Sequence, residues 1–141
     1  MTQVTLGLGC DRGTSLETLQ GAVAQALNSI NLSLNAITEI ATIDKKSDEP
    51  AILALAQHHG WPLRFFSADT LAAVAVPSPS ETVRKYMGTP TVAEAAALLA
   101  ANTHMGNLLL EKYKHLGTDG KNATVSFAIK RSAQAVHKEI K

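Results

Sequence analysis

The chain has 141 residues, of which 13 are Lys or Arg and 12 are Asp or Glu, so its net charge is +1. This balance argues against a general nucleic-acid binder, whose affinity comes largely from neutralising phosphates. The sequence has one cysteine, no secretion signal and no apolar run near the roughly 20 residues of a membrane span. We therefore expect one cytoplasmic domain over residues 1–141, with neither a nucleic-acid nor a membrane partner.

The first predicted elements are a strand, a turn and a helix. The apolar run at residues 4–6 predicts a buried strand, and the glycine-rich stretch at 7–14 predicts a turn. Thr14 and Glu17 have the spacing of a capping box, which marks a helix start. The apolar residues of that helix recur at helical spacing and predict one buried stripe, formed by Leu16, Leu19, Val23, Leu27 and Ile30.

The middle of the chain alternates between strands and helices. β-branched residues predict the first strand of this part, whereas residues 32–36 before it are ambiguous. Pro50 suits the first turn of the next helix, and Gly60 suits its end. The predicted elements are a strand at 37–43, a helix at 49–59, a strand at 63–66 and a helix or helical turn at 68–76.

Two helices and two strands complete the predicted fold. Capping-box patterns at 78–81 and at 91–94 predict helices that end near 88 and near 101. Strands are expected at 107–112 and 123–129, joined by a turn at Asp119-Gly120. Strands that alternate with helices predict a three-layer α/β sandwich, with a mostly parallel sheet and a C-terminal antiparallel hairpin.

The glycine-rich first turn is the leading candidate for a binding site. Backbone N–H groups at a helix start hold anions, and Arg12 adds a planar donor for carboxylates. The glycine spacing does not fit a dinucleotide fingerprint, and the turn lacks the lysine followed by Ser or Thr that a phosphate loop needs. A turn whose glycines merely allow unusual backbone angles is the alternative. Cys10 is a candidate nucleophile there, although a cysteine that ends a buried strand more often packs in the core.

Further polar clusters lie at residues 42–49 and 88–94. Ligands of open α/β sheets bind at the carboxyl ends of strands, so we expect both clusters to converge with the first turn and Arg12, Lys45 and Glu94 to border one pocket. The alternatives are a solvated loop at 42–49 and a purely capping Glu94. The histidines do not have zinc-ligand spacing, so neither a metal nor a cofactor is predicted.

The polar clusters together resemble the CobE/CbiG C-terminal domain family of cobalamin biosynthesis. The resemblance runs in order from about residue 3 to residue 129. The first and second motifs together carry most of its specificity, since either alone is weak. The matching segments are Gly7 to Thr14, Ala41 to Glu49, Val92 to Ala97, and Glu111-Lys112.

The resemblance implies a role in making the corrin ring. In the anaerobic pathway such a domain forms the C-terminal part of cobalt-precorrin-5A hydrolase, which opens a lactone and releases acetaldehyde. In the aerobic pathway a short stand-alone version exists, and this chain has the short form's length. The implied partner is a precorrin-type tetrapyrrole with several carboxylates. The protein is then a lactone hydrolase, a non-catalytic carrier, or a subunit that docks on another corrin-pathway enzyme.

The resemblance also implies roles for individual residues. Cationic side chains and helix starts would bind the ligand's carboxylates, a carboxylate would act as general base on water, and a lysine or helix-start N–H groups would stabilise an oxyanion. The predicted catalytic residues are Glu94, Lys45 and Glu49. The predicted ligand-binding residues are Gly9, Cys10, Asp11, Arg12, Gly13, Thr14, Asp44, Lys45, Thr91 and Lys112.

Overall fold

The structure, a computed structural model, describes residues 2–74, 90–103 and 107–130, without the side chains of residues 90 and 91. Its five strands are β1 (Val4–Cys10), β2 (Ile37–Ile43), β3 (Leu63–Phe66), β4 (Leu108–Leu116) and β5 (Asn122–Ile129). They form one open sheet in the order β3-β2-β1-β5-β4. β1, β2 and β3 pair in parallel, whereas β5 pairs antiparallel with both β1 and β4. The sheet is therefore mostly parallel, with the expected C-terminal antiparallel hairpin.

Helices cover both faces of this sheet. They are α1 (Leu16–Ser29), α2 (Pro50–His59), α3 (Ala68–Ala72) and α4 (Pro90–Ala101), with 3-10 turns at Leu34–Ala36 and Asp44–Lys46. One apolar cluster joins α1 and α2 to the sheet, and another joins α3 and α4 to it. The three-layer α/β sandwich is thus confirmed. No helix of the described segments has the length and hydropathy needed to cross a membrane.

Several predicted elements have the expected limits. The strands at 37–43 and 63–66 are confirmed residue for residue. The helix predicted at 49–59 forms with Glu49 as its N-cap, Pro50 at its first position and Gly60 at φ 71° after its end. The helix expected from residue 78 to about 88 lies outside the described residues, as do Gly88 and Thr89.

The first strand is longer than the sequence indicates, which corrects the prediction of a turn beginning at Gly7. β1 continues through Gly7 and Gly9 to Cys10, and it pairs with β5 along this whole length. The turn begins only at Asp11. The two glycines were assigned to a turn because glycine favours turns, yet here the sheet holds them in the strand.

Gly7 lies in β1 because α4 packs closely against the strand at this point. A Cβ on Gly7 would overlap the backbone oxygen of Ala93 and would lie 2.8 Å from the backbone nitrogen of Ala97. The Thr5 hydroxyl donates to the Ala97 oxygen at 2.7 Å, two residues earlier in β1. Since Ala93 lies over Gly7 and Ala97 over Thr5, α4 runs antiparallel to β1. The N-terminus of α4 therefore faces the carboxyl edge of the sheet.

The start of α1 is capped by Ser15, one residue later than predicted. The Ser15 hydroxyl accepts from the Thr18 N–H at 3.1 Å, whereas Thr14 donates to the Asp11 oxygen. The loop between β4 and β5 adds a second cap, because Asp119 accepts from the Ser15 N–H and from the Thr18 hydroxyl, each at 2.9 Å. These bonds and one from the Lys121 N–H lower the pKa of Asp119 to about 2.

We expect Gly7→Ala to destabilise the fold by roughly 1–3 kcal/mol or more, because the added methyl group must displace the backbone of α4. Urea denaturation measures this change. Gly21→Ala is the matched control, since its Cβ would meet only the His115 side chain and alanine favours a helix. Equal stabilities of the Gly7→Ala variant and the native chain would contradict the close approach of α4.

Asp119 gives the fold a pH-dependent contribution. Its pKa lies below the ordinary 3.8 in the folded protein, so the carboxylate stabilises the fold above pH 4 and loses that effect as pH falls towards 2. We expect Asp119→Asn to lower the melting temperature at pH 6 and to make little difference at pH 2. Glu17→Gln, at the same helix start, should have a smaller effect at both pH values. A pH-independent loss would argue against the charged cap.

Candidate functional site

The first turn and the loop after β2 converge at the carboxyl edge of the sheet, as the sequence predicts. Arg12 makes the connection. Its guanidinium donates to Asp48 Oδ1 at 2.7 Å, to Glu49 Oε2 at 3.2 Å and to the backbone oxygen of Lys45. The Asp48 bond contributes most to raising the pKa of Arg12, and Arg12 in turn lowers the pKa of Asp48. Arg12 thus holds the two clusters together.

Glu49 is the buried carboxylate of this edge, with its side chain 2% exposed. Its Oε1 accepts from the Gly13 N–H at 2.9 Å, and its Oε2 faces Arg12. The N–H group that was expected to hold a ligand anion therefore holds a carboxylate of the same chain. With both oxygens engaged in this way, Glu49 serves as a clamp between the clusters.

The remaining residues of the first turn also contact their own chain. Asp11 Oδ2 accepts from the backbone N–H of Asn122 at 2.8 Å, which ties the end of β1 to the start of β5. The Thr14 hydroxyl donates to the backbone oxygen of Asp11 at 2.6 Å. Gly9 and Cys10 lie within β1, and burial raises the pKa of the Cys10 thiol. The ligand-binding roles of these residues stay predictions.

The two lysines of the 3-10 turn differ in exposure. The side chains of Asp44 and Lys45 are exposed, whereas Lys46 is buried. The Lys46 charge lowers the pKa of Cys10, and the Glu49 charge raises it, so both groups lie around the thiol. Lys46 is thus the lysine of this cluster whose side chain is packed against the protein. The sequence predicts Lys45 as the functional lysine instead.

Glu94 belongs to α4 and is buried on the side of the helix that faces the sheet. The capping role considered for it is wrong. The helix begins at Pro90, so Glu94 is its fifth residue rather than the third residue after a cap. Its side chain is 0% exposed, and neither carboxylate oxygen has a hydrogen-bond partner among the described residues. Burial raises its pKa to about 7, while Lys112 lowers this pKa and Glu111 raises it.

Lys112 lies inside β4 at a bulge, not at the strand end that the sequence indicated. Leu110 pairs with Phe127 and Tyr113 pairs with Val125, so two residues of β4 stand opposite one residue of β5. These two are Glu111 and Lys112, and they stand opposite Ser126, which donates from its hydroxyl to the Glu111 oxygen. The bulge brings both charges close enough to act on Glu94.

The three predicted clusters converge only in part, and the shared pocket stays a prediction. The clusters at 9–14 and 42–49 meet, but the charges that act on Glu94 are those of Glu111 and Lys112. The start of α4 does lie at the same edge, because Val92 and Ile43 belong to one apolar cluster. The side chain of Thr91 lies outside the described residues. Among those described, no three His, Cys, Asp or Glu side chains are grouped as metal ligands.

Sequence reasoning missed Lys46, Glu111 and Ser126. Two adjacent lysines give no signal of which one turns inward, because a 3-10 turn has no fixed buried face. A bulge has no reliable sequence pattern either. Ser126 carried the one available signal, since a small polar residue in a central strand can indicate a close neighbour. Its strand, β5, is buried on both faces, with Val125 and Phe127 on one and Ser126 and Ala128 on the other.

Known proteins with similar sequences belong to cobalamin biosynthesis. The chain is 30% identical over 126 residues to a cobalt-precorrin-5A hydrolase of Priestia megaterium, which covers 89% of this chain and 32% of that protein. It is 41% identical over 100 residues to Protein CobE of a Sinorhizobium species, which covers 70% of this chain and 65% of that one. The chain thus spans about a third of the hydrolase and slightly less than two thirds of the CobE protein.

A solved structure supports the same relationship. The fold matches the crystal structure of CobE, a protein from the cobalamin (vitamin B12) biosynthetic pathway, with a TM-score of 0.69 and 29% identity. That match covers 92% of this chain and 94% of the other. The sequence profile of the family described as "Cobalamin synthesis G C-terminus" matches residues 4–128. The chain therefore belongs to the cobalamin synthesis G C-terminus family, as a cobalamin-biosynthesis protein of the CobE and CbiG type.

Proposed function

We propose that this protein binds a precorrin-type tetrapyrrole and that Glu94 is the acid–base group of its site. The family and the hydrolase relative support a precorrin ligand. The observation that carries the role of Glu94 is its burial with two unpartnered carboxylate oxygens. An unpartnered buried polar group is costly to keep, so it is more readily explained by function than by folding.

The chemistry of the ligand fits a site of this kind. A precorrin carries acetate and propionate carboxylates around a large, partly apolar ring, so it calls for scattered cations rather than a high net charge. The chain's net charge is only +1, yet it carries four cations in suitable places. Arg12, Lys45 and Lys46 lie in the clusters at 9–14 and 42–49, and Lys112 lies near Glu94. A cytoplasmic location remains the expectation from the sequence.

Glu94 has the properties of a general base. A base works best when its pKa lies near the working pH, and burial raises the pKa of Glu94 to about 7. Glu49 is less suited to this role, because Arg12 and the Gly13 N–H already engage its two oxygens. We therefore assign the base of a lactone hydrolysis to Glu94, with Lys112 as the nearby cation.

A carrier or docking subunit is the second candidate. The chain matches only 32% of the hydrolase, so groups that this enzyme needs can lie in the rest of its own chain. A carrier would bind the macrocycle alone and leave its mass unchanged. A docking subunit would bind it weakly alone and would co-purify with another corrin-pathway enzyme. Incubation with pathway intermediates, followed by mass and absorbance spectra, separates these functions from hydrolysis.

We expect Glu94→Gln to lower the rate of lactone opening by about 10²–10⁴, because the amide cannot accept the proton of the attacking water. The rate is followed by mass spectrometry of the incubated intermediate. Glu111→Gln is the matched control, since Glu111 is an exposed acid whose charge acts on Glu94. A folded Glu94→Gln variant with unchanged turnover would remove the catalytic role and favour the carrier.

Glu94 should also make stability depend on pH, independently of any ligand. Its pKa is about 7 in the folded protein and near 4.5 without burial, so the folded state holds an extra proton between these values. Stability should therefore fall by roughly 3 kcal/mol as pH rises from 4.5 to above 7. Urea denaturation at pH 5 and pH 8 measures this fall. In the Glu94→Gln variant the fall should be much smaller, and an equal fall would contradict the raised pKa.

A further inference from the structure

We infer that Lys46 is the residue that binds a ligand carboxylate at the carboxyl edge of the sheet. This inference rests on the proposed tetrapyrrole binding and names the side chain that recognises the ligand's charge there. The sequence pattern directs attention to Arg12 and Lys45 instead. Lys46 differs from both in the partners that it has within the chain.

Arg12 has little capacity left for a ligand. Its guanidinium already binds Asp48, Glu49 and the Lys45 backbone oxygen. The nearby Gly13 N–H is taken by Glu49 in the same way. The guanidinium has further N–H donors, but a ligand carboxylate there would be repelled by Asp48 and Glu49, and at the Gly13 N–H it would have to displace Glu49. The first turn is therefore already filled by the chain's own acids.

Lys46 differs from Arg12 in its partners. It is 9% exposed, and it takes part in none of the ion pairs formed among residues 2–74, 90–103 and 107–130. Its charge acts on Cys10 and Asp48 without an ion pair between Lys46 and Asp48. Most of the side chain is packed, but its Nζ is not among the buried polar atoms without a partner, so the stem is held in place while the ammonium reaches water. A carboxylate that arrives with a ligand can therefore pair with this ammonium.

Lys45 is the natural comparison for Lys46. The two residues are adjacent in the same 3-10 turn, but the Lys45 side chain is exposed to water. An ion pair in water is worth little because the solvent screens it and both side chains lose freedom. The packed stem of Lys46 loses less freedom when its ammonium pairs with a carboxylate, and the surrounding protein screens that pair less than open water does. The inward lysine should therefore contribute more to binding than its neighbour.

The test is a titration with uroporphyrin, a tetrapyrrole that carries acetate and propionate groups, followed by porphyrin fluorescence anisotropy at fixed ionic strength. We expect Lys46→Met to weaken binding about 10- to 100-fold, as for loss of a charge-assisted hydrogen bond. Lys45→Met should bind nearly as the native chain does, and Lys46→Arg should retain most of the affinity. Circular dichroism checks that each variant is folded.

A second measurement needs no variant. Acetic anhydride labels exposed amines, and mass spectrometry reports the rate at each lysine. Bound uroporphyrin should slow the labelling of Lys46 more than that of Lys45, which keeps the inference testable if Lys46→Met does not fold.

The outcomes separate the two proposals. If the native chain binds uroporphyrin but Lys46→Met binds equally well, or if labelling of Lys46 is unaffected by the porphyrin, Lys46 only balances the charge of Glu49 and this inference is wrong. If the native chain does not bind uroporphyrin at all, the proposed tetrapyrrole binding is wrong, and the role of Lys46 is lost with it.

Discussion

The close approach of α4 to β1 at Gly7 is the constraint on which the rest of the structure depends. The helix lies so near the strand that the position of the Gly7 Cβ coincides with its backbone. Small residues are needed where the helix lies closest to the sheet, which explains the alanines of α4 and the small Ser126 and Ala128 of β5. The same approach carries Glu94 into the interior. A larger residue at Gly7 would lift the helix and disturb the packing that encloses that carboxylate.

The second organising feature is that carboxylates of the chain itself accept hydrogen bonds from the N–H groups at helix starts and turns. N–H groups at the first turn and at the start of α1 are expected to attract anions. Glu49 accepts from the Gly13 N–H, and Asp119 accepts from the Ser15 N–H. The anions that these N–H groups hold in this structure are therefore carboxylates of the protein itself. The main effect of the Glu49 bond is to fix the position of the loop that carries Lys46.

The sequence predicted the elements whose limits depend on local chemistry. The strand β2 follows from β-branched residues, and α2 follows from Pro50 and Gly60 at its two ends. The predictions that failed depend on distant neighbours. The sequence around Gly7 is compatible with a turn and with a strand that lies under a helix. The close approach of α4 requires the strand. The bulge at Glu111 and Lys112 depends likewise on pairing with Ser126, so no local pattern placed Lys112 beside Glu94.

The sheet separates Lys46 from Glu94, and this separation favours a wide ligand. Cys10, beside Lys46, belongs to the core between the sheet and helices α1 and α2, whereas Glu94 lies on the face covered by α4. Side chains of a helix lean towards its N-terminus, and the N-terminus of α4 faces the carboxyl edge. Glu94 therefore leans towards the edge at which Lys46 lies. A small anion can contact only one of these groups, whereas a macrocycle with carboxylates around its rim can lie across the edge and approach both.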